Sequence, residues 1–410
     1  MVQVSFSNPT RKGIRILSPE PEGRLLTHSC SGGGIFISYV YKRAVQKEWN
    51  TGMRIAVGMS GGVDSSVAAL LLKREGHEVI GITMKIWKGN EVPGWEKGDV
   101  CYGPGEAEDI EAARTICSFL EISHFVVDCR DAYERIVLDN FRKEYRAGRT
   151  PNPCVCCNHA IKFGVLPDAA RKMGISFEKF ATGHYARILR DPLYNRPALQ
   201  KGIEPRKDQS YFLYRLSQEQ LAMSFFPLGG FRKEEVRARA KDAGLIVHDK
   251  KESQDFCHGG YGKILGIATA AGDIADSAGM VLGHHDGIWR YTIGQRKGLG
   301  IAWQEPLYVL RIDAVNNRII VGTKKETLKS AFIVRDCLWN GLEEMARTFP
   351  AGVKIRSTTP EMEGVITLID SVTAHVAFRE PHASITPGQS AVFYRGDRVL
   401  GGGIIDMVET

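Results

Sequence analysis

The chain has 410 residues, of which 43% are hydrophobic, 25% charged and 9% aromatic, with nine cysteines and a formal net charge of +7. This is the length of two or three domains, and the composition excludes a collagen, a coiled coil and a disordered chain. No run approaches the ~18 consecutive apolar residues of a membrane-spanning helix, so no membrane association is expected. The charge is unevenly spread: residues 1–52 hold seven Lys and Arg against three acids, leaving only +3 on the rest. Net charge alone therefore does not mark a nucleic-acid binder.

Residues 1–52 show no sustained helical or strand period. Their one apolar stretch, GIFISYVY at 34–41, is too short and too polar in its lead-in for a secretory segment. The three acids argue against an organellar transit peptide. The expectation is a disordered extension, or translated upstream sequence ahead of a start at Met53.

From Met53 the chain reads strand, Gly-rich loop, helix, strand: Arg54–Gly58, then MSGGVDSS, VAALLLKREG and Val79–Met84. That is a βαβ unit with a parallel sheet. Gly58, Gly61 and Gly62 permit close backbone approach, and Ser60, Ser65 and Ser66 add hydroxyls. The following helix directs its N-terminal N–H groups at the loop, so a phosphate is the expected guest. No Lys follows the glycines, which excludes a Walker loop, and their spacing does not fit GxGxxG. Asp64 offers a carboxylate of the kind Mg²⁺ prefers.

An odd number of cysteines without a signal peptide does not describe a disulfide framework, and a reducing cytoplasm is expected. Cys30, Cys101, Cys117, Cys129 and Cys337 have no partner spacing and read as small buried hydrophobes. Cys154, Cys156 and Cys157 follow two prolines and an Asn in GRTPNPCVCCN, which reads as a thiol-displaying loop; Cys257 in SQDFC reads as another. Thiols at C-x-x-C spacing plus a remote one suit three chemistries. They are a sulfur-transfer pair, three ligands of an iron–sulfur cluster, or a zinc site completed by His159 or His258. Arg142, Lys143, Arg146 and Arg149, just ahead of this loop, form a candidate phosphate track. The basic residues of FRKEEVRARAKDAG (231–244) are balanced by acids and read as a solvated helix face. After Gly279 short alternating segments at turn-separated spacing indicate all-β structure. The fold expected is α/β: a parallel-sheet domain at 53–264, a small central β module at 265–332 and a C-terminal β-barrel-like domain at 333–410.

SGGVDSS, GRTPNPCVCCN with IKF, ATGHYAR (181–187), KDQSYFL (207–213), SQDFC and YTIGQRKGLG (291–300) stand in the order found in tRNA-specific 2-thiouridylases. The chain from Met53 onward resembles that family, a branch of the PP-loop ATP pyrophosphatases. The resemblance implies adenylation of the C2 oxygen of a wobble uridine by ATP, then its replacement by sulfur, with release of AMP and pyrophosphate. It implies Cys157 as nucleophile and Cys257 as persulfide carrier. ATP contacts fall on Gly58, Met59, Ser60, Gly61, Gly62, Val63, Asp64, Ser65, Met84 and Gly183. Contacts to the target base fall on Asn152, Pro153 and Cys154, and contacts to tRNA on His184, Lys207, Asp208, Gln209, Arg356, Ser357 and Gln389. A sulfur-donor protein, a cysteine desulfurase or a relay protein, is the implied partner.

Many members of the family have Asp where this chain has Cys154. The extra thiol resembles the three-cysteine arrangement of cluster-binding tRNA thiolases, so two mechanisms stand side by side. One is a persulfide relay through a Cys157–Cys257 disulfide. The other is a [4Fe–4S] cluster on Cys154, Cys157 and Cys257, with Cys156 able to replace either ligand of the pair. Rival functions are another PP-loop pyrophosphatase acting on a small molecule, and a non-catalytic RNA-binding or metal–sulfur carrier protein.

Overall fold

The computed structural model describes residues 52–88, 100–191, 194–247, 250, 256–257, 261–266, 270–340 and 346–409, together with two N-terminal strands. Residues 1–50 and 51–410 are separate units. In the first, Arg15–Pro19 pairs antiparallel with Leu25–Ser29, from Arg15 opposite Ser29 to Pro19 opposite Leu25. These ten residues thus form one strand pair within the extension. Both segments carry apolar residues in short runs that a strand pair can use; the rest of the extension, Cys30 included, lies outside the described residues.

The second unit begins with a five-stranded, all-parallel sheet. Arg54–Gly58 lies at its centre, with Glu78–Lys85 and then Ser123–Asp128 on one side, and Lys179–Ala181 and then Ser224–Phe225 on the other. Arg54–Gly58 and Glu78–Lys85 are apolar almost throughout because both faces are covered. The order reverses between Arg54–Gly58 and Lys179–Ala181, which makes the carboxyl ends of those two strands the switch point where such sheets bind ligands.

A four-stranded sheet follows, in the order Val281–His285, Gly272–Ala275, Arg318–Gly322, Tyr308–Asp313. YTIGQRKGLG, within the region expected to be all-β, is irregular chain after a 3₁₀ turn at Ile288–Arg290. Its three glycines at positive φ, Gly294, Gly298 and Gly300, break any strand. The C-terminal strands close into a barrel, because Leu328–Leu338 pairs with both Ala374–Ala383 and Arg398–Val408. A hairpin of the first domain, Ala186–Arg190 with Pro197–Lys201, extends the barrel sheet through the pairing of Arg398 with Gln200. Among the described residues no helix is long and apolar enough to cross a membrane.

The barrel is tied to the parallel-sheet domain by charge as well. Glu144, 5% exposed, accepts hydrogen bonds from Arg149 (2.7 and 3.0 Å) and lies 3.3 Å from Arg335 of the barrel. Arg335 also donates to Asp406 at 3.0 Å. Glu144→Gln leaves two half-buried guanidinium groups without their shared carboxylate, and a loss of about 3 kcal/mol is expected. A thermal melt showing an unchanged midpoint would exclude that role.

Candidate functional site

The phosphate loop occupies the switch point. Met59 N–H donates to Ile82 O at 2.8 Å and its own carbonyl accepts from Thr83 Oγ1 at 3.0 Å, fixing the loop to the neighbouring strand. Gly61 has φ +69°, and a Cβ there would stand 2.5 Å from the Asp109 carbonyl, so glycine is required on both counts. Ser60 N–H donates to Ser65 Oγ at 3.2 Å, while the Ser65 and Ser66 hydroxyls donate to Gly62 O at 3.2 and 2.7 Å. These bonds fold the loop over the first turn of the helix Val63–Arg74. The helix dipole and the exposed Ser60 together suit an anion. Met84 is half-buried at the end of its strand.

Asp64 is committed to neighbours. Lys233 Nζ donates to both carboxylate oxygens at 2.7 and 2.8 Å, and Tyr185 Oη donates to Oδ1 at 2.8 Å. A Mg²⁺ ion at Asp64 would have to displace the Lys233 ammonium. Lys233 is only 6% exposed and departs from the solvated face expected for its helix, Lys233–Asp242, where Glu234, Lys241 and Asp242 are exposed. A cation in the first turn of a helix opposes the dipole, and that was the available signal for a second use.

Cys154, Cys156 and Cys157 are not on a loop. Asn152 Oδ1 accepts the Val155 N–H at 3.2 Å as an N-cap, Pro153 takes the first helical turn, and the helix Pro153–Cys156 runs on through a π-helical segment, Cys157–Val165, into Leu166–Lys172. Asn followed by Pro starts a helix as readily as it breaks one, which is the physical reason the loop expectation fails. Cys154 and Cys157 lie three residues apart and interact. Cys156 Sγ instead lies 3.7 Å from Ile136 O, a packing contact. Burial pushes the Cys157 thiol up to about 12, against the pull of the Lys162 ammonium.

ATGHY links the two parts. A Cβ on Gly183 would fall 2.6 Å from the Asp64 carbonyl carbon and 2.8 Å from Ser65 N, so this glycine rests directly on the phosphate loop. Its neighbour His184 bonds Thr182 Oγ1 at 2.7 Å and packs beside Phe163, with ring centroids 5.8 Å apart. Burial, and then the Lys162 charge, hold His184 well below the usual imidazole range, so it is neutral at pH 7. Phe163 and Lys162 belong to the cysteine helix, so Gly183 touches the loop and His184 that helix.

Cys257 is 2% exposed and belongs to the apolar core that Cys156 and Cys157 pack against, a core that also holds Tyr102, Tyr133 and Tyr145. Phe256, Tyr102 and Tyr133 stack at centroid distances of 5.8 and 5.3 Å. Among the described residues no three His, Cys, Asp or Glu side chains gather as a metal site. His159 stands in no such group, and His258 lies outside the described residues. Cys117, Cys129 and Cys337 are buried as expected, but Cys101 is exposed and acts electrostatically on Cys157 and Tyr133.

Several residues expected at an RNA surface make internal contacts. Asp208 accepts from Gly202 N and from Ser210 N and Oγ, and Gln209 Oε1 accepts from Tyr185 N. Lys207 N–H donates to Glu204 O. Arg356 donates to Ile293 O and Thr386 Oγ1, joining barrel to central module, with Ser357 half-buried beside it. Gln389 Nε2 donates to Thr150 O at 2.9 Å and Pro151 O at 3.3 Å, so the barrel braces the residues just ahead of Asn152. In the expected phosphate track, Arg142 bonds Glu134 and Ile264 O and Arg149 bonds Glu144, while Lys143 and Arg146 are exposed.

Comparison with known proteins covers all three parts of this unit. Residues 53–260 match the tRNA methyl transferase HUP domain family, 265–323 its PRC-barrel domain, and 329–405 the aminomethyltransferase beta-barrel domain. The chain is similar to the tRNA-specific 2-thiouridylase MnmA of Endomicrobium trichonymphae, at 48% identity over 87% of this chain and 99% of that one. The MnmA of Geobacter metallireducens is 47% identical over 87% and 98%, and that of Trichormus variabilis 46% over 86% and 98%.

Proposed function

The chain belongs to the tRNA-specific 2-thiouridylase family, and from that membership and the site geometry we propose that it thiolates C2 of a tRNA wobble uridine at the expense of ATP. The observation that carries the proposal is the bridge made by Gly183 and His184 between the phosphate loop and the helix of Cys157. An ATP bound by residues 58–65 would present its α-phosphorus to a base held near Asn152–Cys154. The uridine O2 attacks that phosphorus, the bond to the β-phosphate breaks, and pyrophosphate leaves. A poor leaving oxygen has then become AMP.

The terminal sulfur of a persulfide on Cys257 attacks C2 and expels AMP. The Cys157 thiolate next attacks Cys257 Sγ, breaking the sulfur–sulfur bond. The electron pair of that bond stays on the sulfur at C2 as the thiocarbonyl, and the two cysteines are left as a disulfide. An external dithiol reduces the disulfide, and a cysteine desulfurase or persulfide relay protein reloads Cys257. Burial keeps Cys157 protonated until the substrate arrives, and Lys162 supplies the charge that favours its thiolate.

The full chain, incubated with ATP, an unmodified tRNA transcript and a persulfide source, is expected to yield 2-thiouridine on nucleoside mass spectrometry, with one AMP and one pyrophosphate per sulfur. Pyrophosphate release that needs no RNA, with no thiolated nucleoside, would overturn the proposal in favour of a small-molecule substrate.

A further inference from the structure

The reaction proposed above requires an outside donor to place sulfur on Cys257 in every cycle, yet Cys257 is only 2% exposed. A thiol so enclosed is poorly reached by a persulfide borne on another molecule. Among the described cysteines Cys101 alone is exposed, while Cys154, Cys156 and Cys157 are half-buried and the others buried.

The backbone brings Cys101 beside Cys257. Tyr102 N–H donates to Phe256 O at 3.0 Å, and the two rings stack at a centroid distance of 5.8 Å. Cys101 immediately precedes the donor residue, and Cys257 immediately follows the acceptor. Peptide geometry on either side of that bond puts the two Cα atoms within about 8 Å of one another. Bonded cysteines hold their Cα atoms about 4.4–6.8 Å apart, and a persulfide carries its terminal sulfur about 2 Å beyond the thiol. Transfer between these two side chains thus needs little or no backbone movement. The charge of Cys101 also bears on Cys157 and on the Tyr133 ring, which stacks on Tyr102 at 5.3 Å. The exposed thiol, the buried carrier and the attacking thiol therefore border one aromatic stack.

Resting on the reading of Cys257 as sulfur carrier, we infer that Cys101 is the entry thiol, a further catalytic residue that takes sulfur from an external persulfide and passes it to Cys257. The Cys101 thiolate attacks the terminal sulfur of the donor persulfide. The donor's sulfur–sulfur bond breaks, and the donor leaves as its thiolate. Cys257 then attacks the terminal sulfur of the new Cys101 persulfide, whose sulfur–sulfur bond breaks in turn. The electron pair of that bond stays on Cys101, and the proton of the Cys257 thiol ends there too. Sulfur changes hands twice with no net oxidation, so neither an oxidant nor a reductant is consumed. Cys101 takes the exposure that loading demands, and Cys257 keeps its burial.

The test follows the sulfur. The full chain is incubated with glutathione persulfide labelled in its terminal sulfur, alkylated at timed intervals and mapped by peptide mass spectrometry. In wild type the label is expected to collect on Cys257. In Cys257→Ser it is expected to stop on Cys101. In Cys101→Ser the rate of labelling at Cys257 is expected to fall about tenfold or more, because the donor must then reach the enclosed thiol directly. Cys101→Ala is expected to match Cys101→Ser, since what both lose is the thiol. Wild-type labelling of Cys257 in Cys101→Ser, or a Cys257→Ser chain with no label on Cys101, overturns the inference. A wild-type chain that loads Cys257 through Cys101 yet makes no 2-thiouridine from ATP and tRNA overturns the proposed function instead, and leaves the entry step standing.

Discussion

Cys157→Ser is expected to form 2-thiouridine on the order of 10³-fold or more below wild type, the scale at which loss of a covalent participant registers, while RNA-dependent pyrophosphate release survives. A hydroxyl at this position cannot break a sulfur–sulfur bond at neutral pH. Sulfur should therefore accumulate in a bond between Cys257 and C2 of the base, or the adenylated base should hydrolyse back to uridine. Mass analysis of the RNA separates these two fates, and wild-type thiolation by the serine enzyme would remove Cys157 from the reaction.

The same residue carries a pH prediction. A thiol raised to about 12 by burial holds roughly 10³-fold less thiolate at pH 7 than a thiol of ordinary acidity near 9. Alkylation of Cys157 in the nucleotide-free enzyme should be slower by that factor, and should climb with pH well past the point where exposed cysteines level off. The sign for stability is fixed too. The folded chain binds this proton more tightly than the unfolded one, so the contribution is complete below pH 9 and is lost as pH rises toward 12.

What could be read from the sequence was local. Arg54–Gly58, the loop and the helix after it are contiguous, and their glycines and apolar run report their own geometry. The Asn152–Pro153 pair was just as local but ambiguous, since a helix cap and a helix breaker use the same letters. Only the apolar packing of Val155, Ile161, Phe163 and Leu166 decides for the helix. Lys233 and Lys250 were out of reach for a different reason. Each arrives at the phosphate loop from more than 165 residues downstream, and nothing in their own neighbourhoods names Asp64 or Gly61 as the partner. The motif residues Asp208, Gln209 and Gln389 show the converse. A motif marks that a position matters, while the hydrogen bonds here show those side chains organising the Gly202, Tyr185 and Thr150 backbone.

Gly183→Ala is the second substitution with a large expected effect, because it adds one methyl group at the junction on which the proposed function depends. The new Cβ meets the carbonyl carbon of Asp64, Ser65 N and Asp64 Cβ at 2.6, 2.8 and 2.9 Å. None of these is the free end of a flexible side chain, so relief requires the phosphate loop itself to move. A displacement of about 1 Å at a reacting centre costs on the order of 10²-fold in rate. ATP-dependent pyrophosphate release is expected to fall by about that factor, and thiolation with it, since both steps lie after ATP is positioned. Gly105→Ala serves as the matched control: its φ of −76° suits alanine and a Cβ there meets nothing within 4 Å. Steady-state rates and melts of the two variants side by side distinguish a displaced loop from a general loss of fold. If Gly183→Ala cleaves ATP at the wild-type rate, the packing of ATGHY against the loop does not set the position of the nucleotide, and the bridge from loop to Cys157 loses its functional meaning.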